Sequence, residues 1–177
     1  WARWQAGTLD TPVAMAHHGN PDKIINASLP DTAADLPVLV SNVAGLAFES
    51  ALESLCEQRG LAEPRFIRTK KAAFGLVNGY ADPGRLGVDR WLGMIAAYAA
   101  SQREFFLVDA GSAVTVDHVD QQGRHLGGMI APGYLAMQSA LGDRTALAIA
   151  DTGLPSTPGP ATSTDTAIAA GCAAAIV

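Results

Sequence analysis

Three short stretches carry residue types that could do chemistry. The first is Gly87-Val88-Asp89-Arg90-Trp91, which sets a carboxylate beside a guanidinium at the junction of a loop and a helical repeat. A carboxylate so placed can take a proton from a substrate hydroxyl, and a guanidinium can grip a carboxylate or carbonyl. An acid at a helix start is also what capping and the helix dipole favour, so these residues alone leave both readings open. The second stretch is Asp109-Ala110-Gly111-Ser112-Ala113-Val114-Thr115. Asp-x-Gly is ordinary tight-turn chemistry, but it also suits phosphate. Gly111 lets backbone N–H groups come close to phosphate oxygens, Ser112 adds a donor, and Asp109 at a strand end can hold a cation that bridges phosphates. The third is Gly127-Gly128-Met129-Ile130-Ala131-Pro132-Gly133. Paired glycines in a strand mark a bulge or a close backbone approach, and Pro-Gly then turns the chain.

Other candidates read more plainly. Tyr80 is a substrate wall or a packing aromatic. Thr162, Ser163 and Thr164 precede a helix and suit capping. His17-His18 reads as a surface pair and Lys70-Lys71 as a solvated loop. Cys56 and Cys172 lie far apart in Ala-rich stretches, without metal-ligand spacing, and read as buried reduced thiols.

The elements that must position these residues follow from periodicity. Residues 1–35 read as short strands and turns broken at Gly19-Asn20. Leu36 to Val43 reads as a buried strand. Ala44 to Arg59 reads as a helix with Leu46, Phe48, Leu52, Leu55 and Cys56 at helical spacing and Gly60 as its stop. With a strand from Arg65 to Arg68 this makes β-α-β. Gly75 to Gly87 reads as a loop, and Val88 to Gln102 as a helix with Val88, Trp91, Leu92, Ile95 and Ala99 on one face. Phe105–Asp109, Ala113–Val119 and His125–Ala131 form an antiparallel meander. Helices begin at Tyr134 and at Thr162, with a Pro/Gly/Ser/Thr loop between them over 151–160. The fold class is α/β, divided into residues 1–74 and 75–177.

Composition narrows the function classes. A 177-residue chain that is 49% hydrophobic holds one core or two small lobes. Its net charge of −5, without a basic run, argues against nucleic-acid binding. No stretch reaches the roughly 18 apolar residues of a membrane span, and no signal peptide is visible. No Gly-x-Gly-x-x-Gly or Walker-type loop is present. The chain opens at Trp1 without Met and stops in an apolar run, so both ends read as truncated.

The order and spacing of Asn78-Gly79-Tyr80, Leu86-Gly87-Val88-Asp89-Arg90-Trp91, Asp109 to Asp117 and Gly127-Gly128-x-Ile130-x-Pro132-Gly133 resemble the type III pantothenate kinase family, whose members are also called Bvg accessory factor homologues. The resemblance is strongest from Asn78 to Leu141. It implies the acetate and sugar kinase, Hsp70 and actin superfamily, with two ribonuclease-H-like lobes of mixed sheets flanked by helices and ATP in the cleft between them. It implies ATP-dependent phosphorylation of pantothenate in coenzyme A biosynthesis, by a cytoplasmic homodimer that uses Mg²⁺ and a monovalent cation, K⁺ or NH₄⁺. Asp89 is then the general base. Arg90, Tyr80 and Gly87 bind pantothenate, which Thr164 reaches from the partner subunit. Gly111 and Ser112 bind phosphate, Asp109 lies near the monovalent cation, and Gly127 and Gly128 line the cleft. The family's first Asp-x-Gly-Asn-Thr/Ser phosphate turn and its adenosine-cradling Gly-Gly turn are missing from these residues, which alone are expected to be inactive. Ser112 stands where the family mostly has Thr. A kinase for another small hydroxyl compound and a non-catalytic regulator of the Bvg accessory factor type are the alternatives.

Overall fold

A computed structural model of the chain describes residues 4–5, 8–9, 20–28, 36–144, 153–155 and 159–176. His17-His18, and half of the 151–160 loop, lie outside the described residues. The chain forms two compact units, Trp1–Lys70 with Gly84–Leu92, and Lys71–Pro83 with Gly93–Val177. Mixed α/β structure, as expected, builds both.

In the first unit, β1 (Trp4–Gln5) pairs antiparallel with β2 (Thr8–Leu9). Helix α1 (Pro21–Ser28) follows, where short strands and turns were expected. Its start is chemically clear: the Asn20 side chain accepts the Asp22 N–H at 2.9 Å, and Pro21 fills the first helical position, where its missing donor costs nothing. Strands β3 (Leu39–Val40) and β4 (Arg65–Phe66) pair in parallel on either side of helix α2 (Leu46–Gln58), giving the expected β-α-β. Strand β3 is much shorter than the 36–43 run from which it was read, and Leu39 and Val43 are exposed.

Helix α2 buries Phe48, Leu52, Leu55 and Cys56 at i, i+4, i+7 and i+8. They pack with Ile25 of α1, and Val40, Leu61 and Phe66 close the cluster. The helix stops as Gly60 predicts. Gly60 takes φ +63°, its N–H reaches Glu57 O at 3.1 Å and the Leu61 N–H reaches Cys56 O at 2.9 Å. These two bonds satisfy the last-turn carbonyls in a Schellman motif and fold Leu61 back onto the core. Burial pushes the Cys56 thiol up, in keeping with an inert reduced cysteine, and both cysteines are buried and free.

Glu49, on the same helix, is 6% exposed. It accepts two bonds from Arg68, at 2.6 and 2.5 Å, and one from the Asn42 side chain at 3.0 Å. The Arg68 bonds, then the Asn42 bond, outweigh burial and pull its pKa from 4.5 to about 2.

The second unit opens with a hairpin whose second strand falls inside the Gly75 to Gly87 stretch read as loop. Its strands are β5 (Ala72–Ala73) and β6 (Leu76–Val77). Phe74 and Gly75, at φ 51° and 81°, make the two-residue turn with positive φ that a right-twisted hairpin favours. Helix α3 (Val88–Ser101) begins among residues of the first unit and ends among those of the second. It lies within one residue of its expected span. Strands β7 (Phe105–Ala110), β8 (Ala113–Val119) and β9 (His125–Pro132) form the expected meander, in the order β7-β8-β9. Helices α4 (Tyr134–Arg144) and α5 (Thr164–Ala174) pack on each other. No helix among the described residues is long and apolar enough to cross a membrane.

Two stability outcomes follow for the first unit. Leu52→Ala removes a core side chain and should cost about 2–5 kcal/mol in denaturant unfolding. Glu49 has a lowered folded pKa, so its contribution is fully present above pH 4.5 and is lost as pH falls towards 2. Urea midpoints measured between pH 5 and 2 should fall in the parent and fall less steeply in Glu49→Gln. Parallel curves would rule the linkage out.

Candidate functional site

The first cluster of expected site residues sits at the start of α3. Gly87 caps the helix, its carbonyl accepting the Trp91 N–H at 3.0 Å. Asp89 is exposed, and its Oδ1 accepts the Arg90 backbone N–H at 2.8 Å. That bond uses one of the amides a helix start leaves without an internal partner, and it points the carboxylate back over Gly87. A Cβ on Gly87 would lie 2.6 Å from this oxygen. Glycine at 87 is therefore a condition of the carboxylate's position. Arg90 is 7% exposed, so its guanidinium is held within the fold rather than in solvent.

Beside this helix start, within the same unit, is a cavity of about 360 Å³ whose lining includes Asn42, Glu49, Arg68, Arg85 and Gly87. Glu49 offsets the charge of Arg68. Arg85 is exposed and comes from the 3₁₀ turn over Pro83–Arg85. Neither arginine stands out in the sequence as a site residue, Arg68 reading as the end of a strand and Arg85 as part of a loop.

The second cluster is the β7–β8 turn. Asp109 pairs with Thr115 and Ala110 with Val114, and Gly111-Ser112 connect the end of β7 to the start of β8. All four residues from Asp109 to Ser112 are exposed. The turn is backed by Gly133, whose N–H donates to Ser112 O at 2.9 Å. A Cβ at Gly133 would come to 2.2 Å from Gly111 O and 2.8 Å from Ser112 O. Gly133 O also accepts the Met137 N–H at 2.9 Å, so the same glycine caps α4. The exposed Gly111-Ser112 turn is thus set beside a helix N-terminus, where backbone donors and the dipole favour an anion. Gly133 was noted in the sequence only as a turn residue.

Gly127 and Gly128 lie elsewhere in the second unit. They pair with His118 and Asp117, and the ladder is irregular between His118 and Val119. Gly127 takes φ +133° there, the bulge that paired glycines suggested. Pro132, by contrast, pairs with Ala113 beside the turn. At roughly 3.4 Å per residue, the four or five positions in between put the glycine pair on the order of 15 Å from Gly111-Ser112. The structure does not bring these two sets together.

Tyr80 is half-buried, and its backbone N–H bonds the Asn78 side chain at 2.9 Å. Asn78 is fully buried and donates to Pro83 O at 3.3 Å. Lys71, read as a loop lysine, donates through Nζ to Asn78 O at 3.0 Å. The Tyr80 ring stacks on His125, with centroids 5.8 Å apart and planes 18° from parallel. His125 bonds Asp117 at 2.9 Å, both side chains being wholly buried. Neither His125 nor Asp117 was singled out from sequence. Thr164 is exposed at the first position of α5, and capping falls to Ser163, whose Oγ accepts the Thr166 N–H at 3.3 Å.

Comparison with known proteins gives a consistent result. The family model described as type III pantothenate kinase matches residues 15–177. A type III pantothenate kinase of Halorhodospira halophila is 35% identical over 175 residues, covering 97% of this chain and 67% of its own length. One from Burkholderia mallei (strain SAVP1) is 44% identical over 109 residues, 60% of this chain and 43% of its own. A Saccharophagus degradans relative is 45% identical over 113 residues, 63% and 43% respectively. Among solved structures, a Campylobacter jejuni protein ascribed to the Baf family of transcriptional activators superposes with a TM-score of 0.50 at 25% identity, covering 86% of this chain and 63% of that one. The matches span from under half to about two thirds of the relatives' lengths. With a family model matched over nearly all its residues, the chain belongs to the type III pantothenate kinase family.

Proposed function

We propose that the protein transfers the γ-phosphoryl group of ATP to the primary hydroxyl of pantothenate, forming 4'-phosphopantothenate, the first committed step towards coenzyme A. The observation that carries this is the family match over residues 15–177 together with an exposed Asp89 carboxylate fixed at the start of α3. Phosphoryl transfer asks little covalent chemistry of a protein and much positioning and charge stabilisation. Asp89 orients the acceptor hydroxyl and takes its proton. Arg90, Gly87 and Tyr80 hold pantothenate, and Thr164 contributes from the second subunit of a homodimer.

The Gly111-Ser112 turn and the start of α4 offer backbone and hydroxyl donors to the phosphates. The nearby donors, the Asp109 carboxylate and the Ser112 hydroxyl, are hard oxygens and fit Mg²⁺ or an alkali cation rather than a soft metal. Such a cation, held by Asp109, would neutralise phosphate charge. Gly127 and Gly128 would line the site only at the far end of the β8–β9 ladder. Two lobes of ribonuclease-H type and a cytoplasmic setting complete the reading. The Baf-family relative favours a regulatory alternative, which sustained turnover by the complete protein would exclude as the sole role.

In the complete protein, Asp89→Asn should lower kcat by at least ~10²-fold, in line with general-base catalysis. Near-parental turnover would end the assignment of Asp89. Gly87→Ala keeps every ionisable group but puts a Cβ 2.6 Å from the Asp89 oxygen, displacing it, and should lower kcat by roughly 10-fold or more. Gly133→Ala pushes on the Gly111-Ser112 carbonyls and should raise KM for ATP by about tenfold while changing KM for pantothenate far less. Equal effects on both substrates would argue against a phosphate role for the turn.

A further inference from the structure

We infer that the buried His125–Asp117 pair is a positioning device for Tyr80, presetting the wall against which the acceptor substrate docks. The inference rests on the proposed contact between Tyr80 and pantothenate. Its basis is how completely His125 is tied to the loop that carries Tyr80.

His125 meets that loop twice. Its ring stacks under Tyr80, and its backbone carbonyl is covered by Gly79, where a Cβ would fall 1.9 Å from the oxygen. The loop is pinned on its other side by Asn78, which is fully buried and bonded to the Tyr80 N–H and to Pro83 O. Asp117 then fixes the imidazole through the hydrogen bond between its Oδ1 and Nε2 at 2.9 Å. The irregular step between His118 and Val119 makes this possible, since His125 pairs with Val119 and reaches the side chain two positions earlier on β8.

Stability alone gives little reason for this arrangement. Burying a carboxylate and an imidazole together is costly, and such pairs are weak evidence for stabilisation. The ring is also left with Nδ1 buried and without a hydrogen-bond partner, the only such side-chain atom among the described residues. What the pair does supply is a flat face whose tilt is set by one hydrogen bond. Phenylalanine would offer the face without the bond, and glutamine the bond without the face.

The test is steady-state kinetics on the complete protein, with pantothenate varied at saturating ATP and the reverse. Tyr80→Ala checks the underlying contact and should raise KM for pantothenate at least about 10-fold. His125→Gln should raise the same constant by roughly 3- to 10-fold, with kcat changed less than about twofold and KM for ATP unmoved. Adding His125→Gln to Tyr80→Ala should bring no further rise, because both act through one ring. A purely structural histidine would instead lower the active fraction, move both KM values, or add its full effect in the double variant, and any of these overturns the proposal. If Tyr80→Ala leaves KM unchanged, the substrate wall itself is wrong and the inference falls with it. If Tyr80→Ala raises KM and His125→Gln does not, only the positioning role is wrong. Should His125→Gln fail to fold, Asp117→Asn keeps the volume and weakens the bond. It should then shift the Tyr80 signal in ¹⁹F NMR of fluorotyrosine-labelled protein and raise KM for pantothenate about 2- to 5-fold. An unchanged signal and an unchanged KM would refute it.

Discussion

Backbone touching backbone, where no side chain fits, is the constraint on which the rest of the structure depends. Gly133 lies against the carbonyls of Gly111 and Ser112, and Gly79 lies against the carbonyl of His125. Neither is a matter of flexible turns. In each case a Cβ would have to occupy space already held by a main-chain oxygen, which cannot step aside as a side chain can. The first contact sets the exposed β7–β8 turn at the start of α4. The second sets the Tyr80 loop on the sheet. Two segments without regular structure of their own thereby gain fixed positions from strands and helices that are regular, and rigid elements are what the proposed phosphate and substrate contacts would require.

Local signals were legible in the sequence, and signals that depend on docking were not. Helix α3 could be read almost to the residue because its apolar repeat and the Gly87 start are local. The β7-β8-β9 meander was legible for the same reason, since alternation and a two-residue turn lie within a few positions of one another. The β5–β6 hairpin was missed because two-residue strands carry no periodicity. Its support is tertiary: the Val77 N–H bonds Gly123 O at 2.8 Å, and the Tyr98 ring lies against Gly75. Helix α1 was missed for a different reason. Asn20 read as a turn residue, whereas here the same side chain caps a helix that Pro21 begins. Asn before Pro fits both roles, and only the tertiary cover of Ile25 by α2 decides between them.

The candidate site divides along the same line. Asp89-Arg90 and Asp109–Ser112 could be found because each is contiguous in the chain. The His125–Asp117 pair could not, because a regular ladder would not put those two side chains together. The irregular step at His118/Val119 makes them neighbours, and a bulge of this kind is hinted at in sequence only by the glycine pair that follows. Those glycines were read towards the nucleotide. In the structure they sit opposite Asp117 and His118, where their effect is on the course of β9.

The carboxylates show how one chain separates acids that hold the fold from acids left for chemistry. Glu49 is buried against Arg68 and Asn42 and is kept ionised well below the ordinary range. Burial works against ionisation of Asp120, but its bonds from the Arg124 backbone and side chain and from the Gln122 N–H prevail and lower its pKa. Asp117 is closed in with His125. Asp89 and Asp109 differ from all three in being exposed, each on the first turn of a helix or the last turn of a strand. A general base must meet its substrate's proton, and a cation ligand must meet its ion, so exposure is a requirement of both roles. Glu49 and Asp120 could be exchanged for other well-packed groups with a loss confined to stability, whereas a change at Asp117 should also be felt at Tyr80. The two exposed ones contribute little to packing, and their chemical type is accounted for by the reaction proposed.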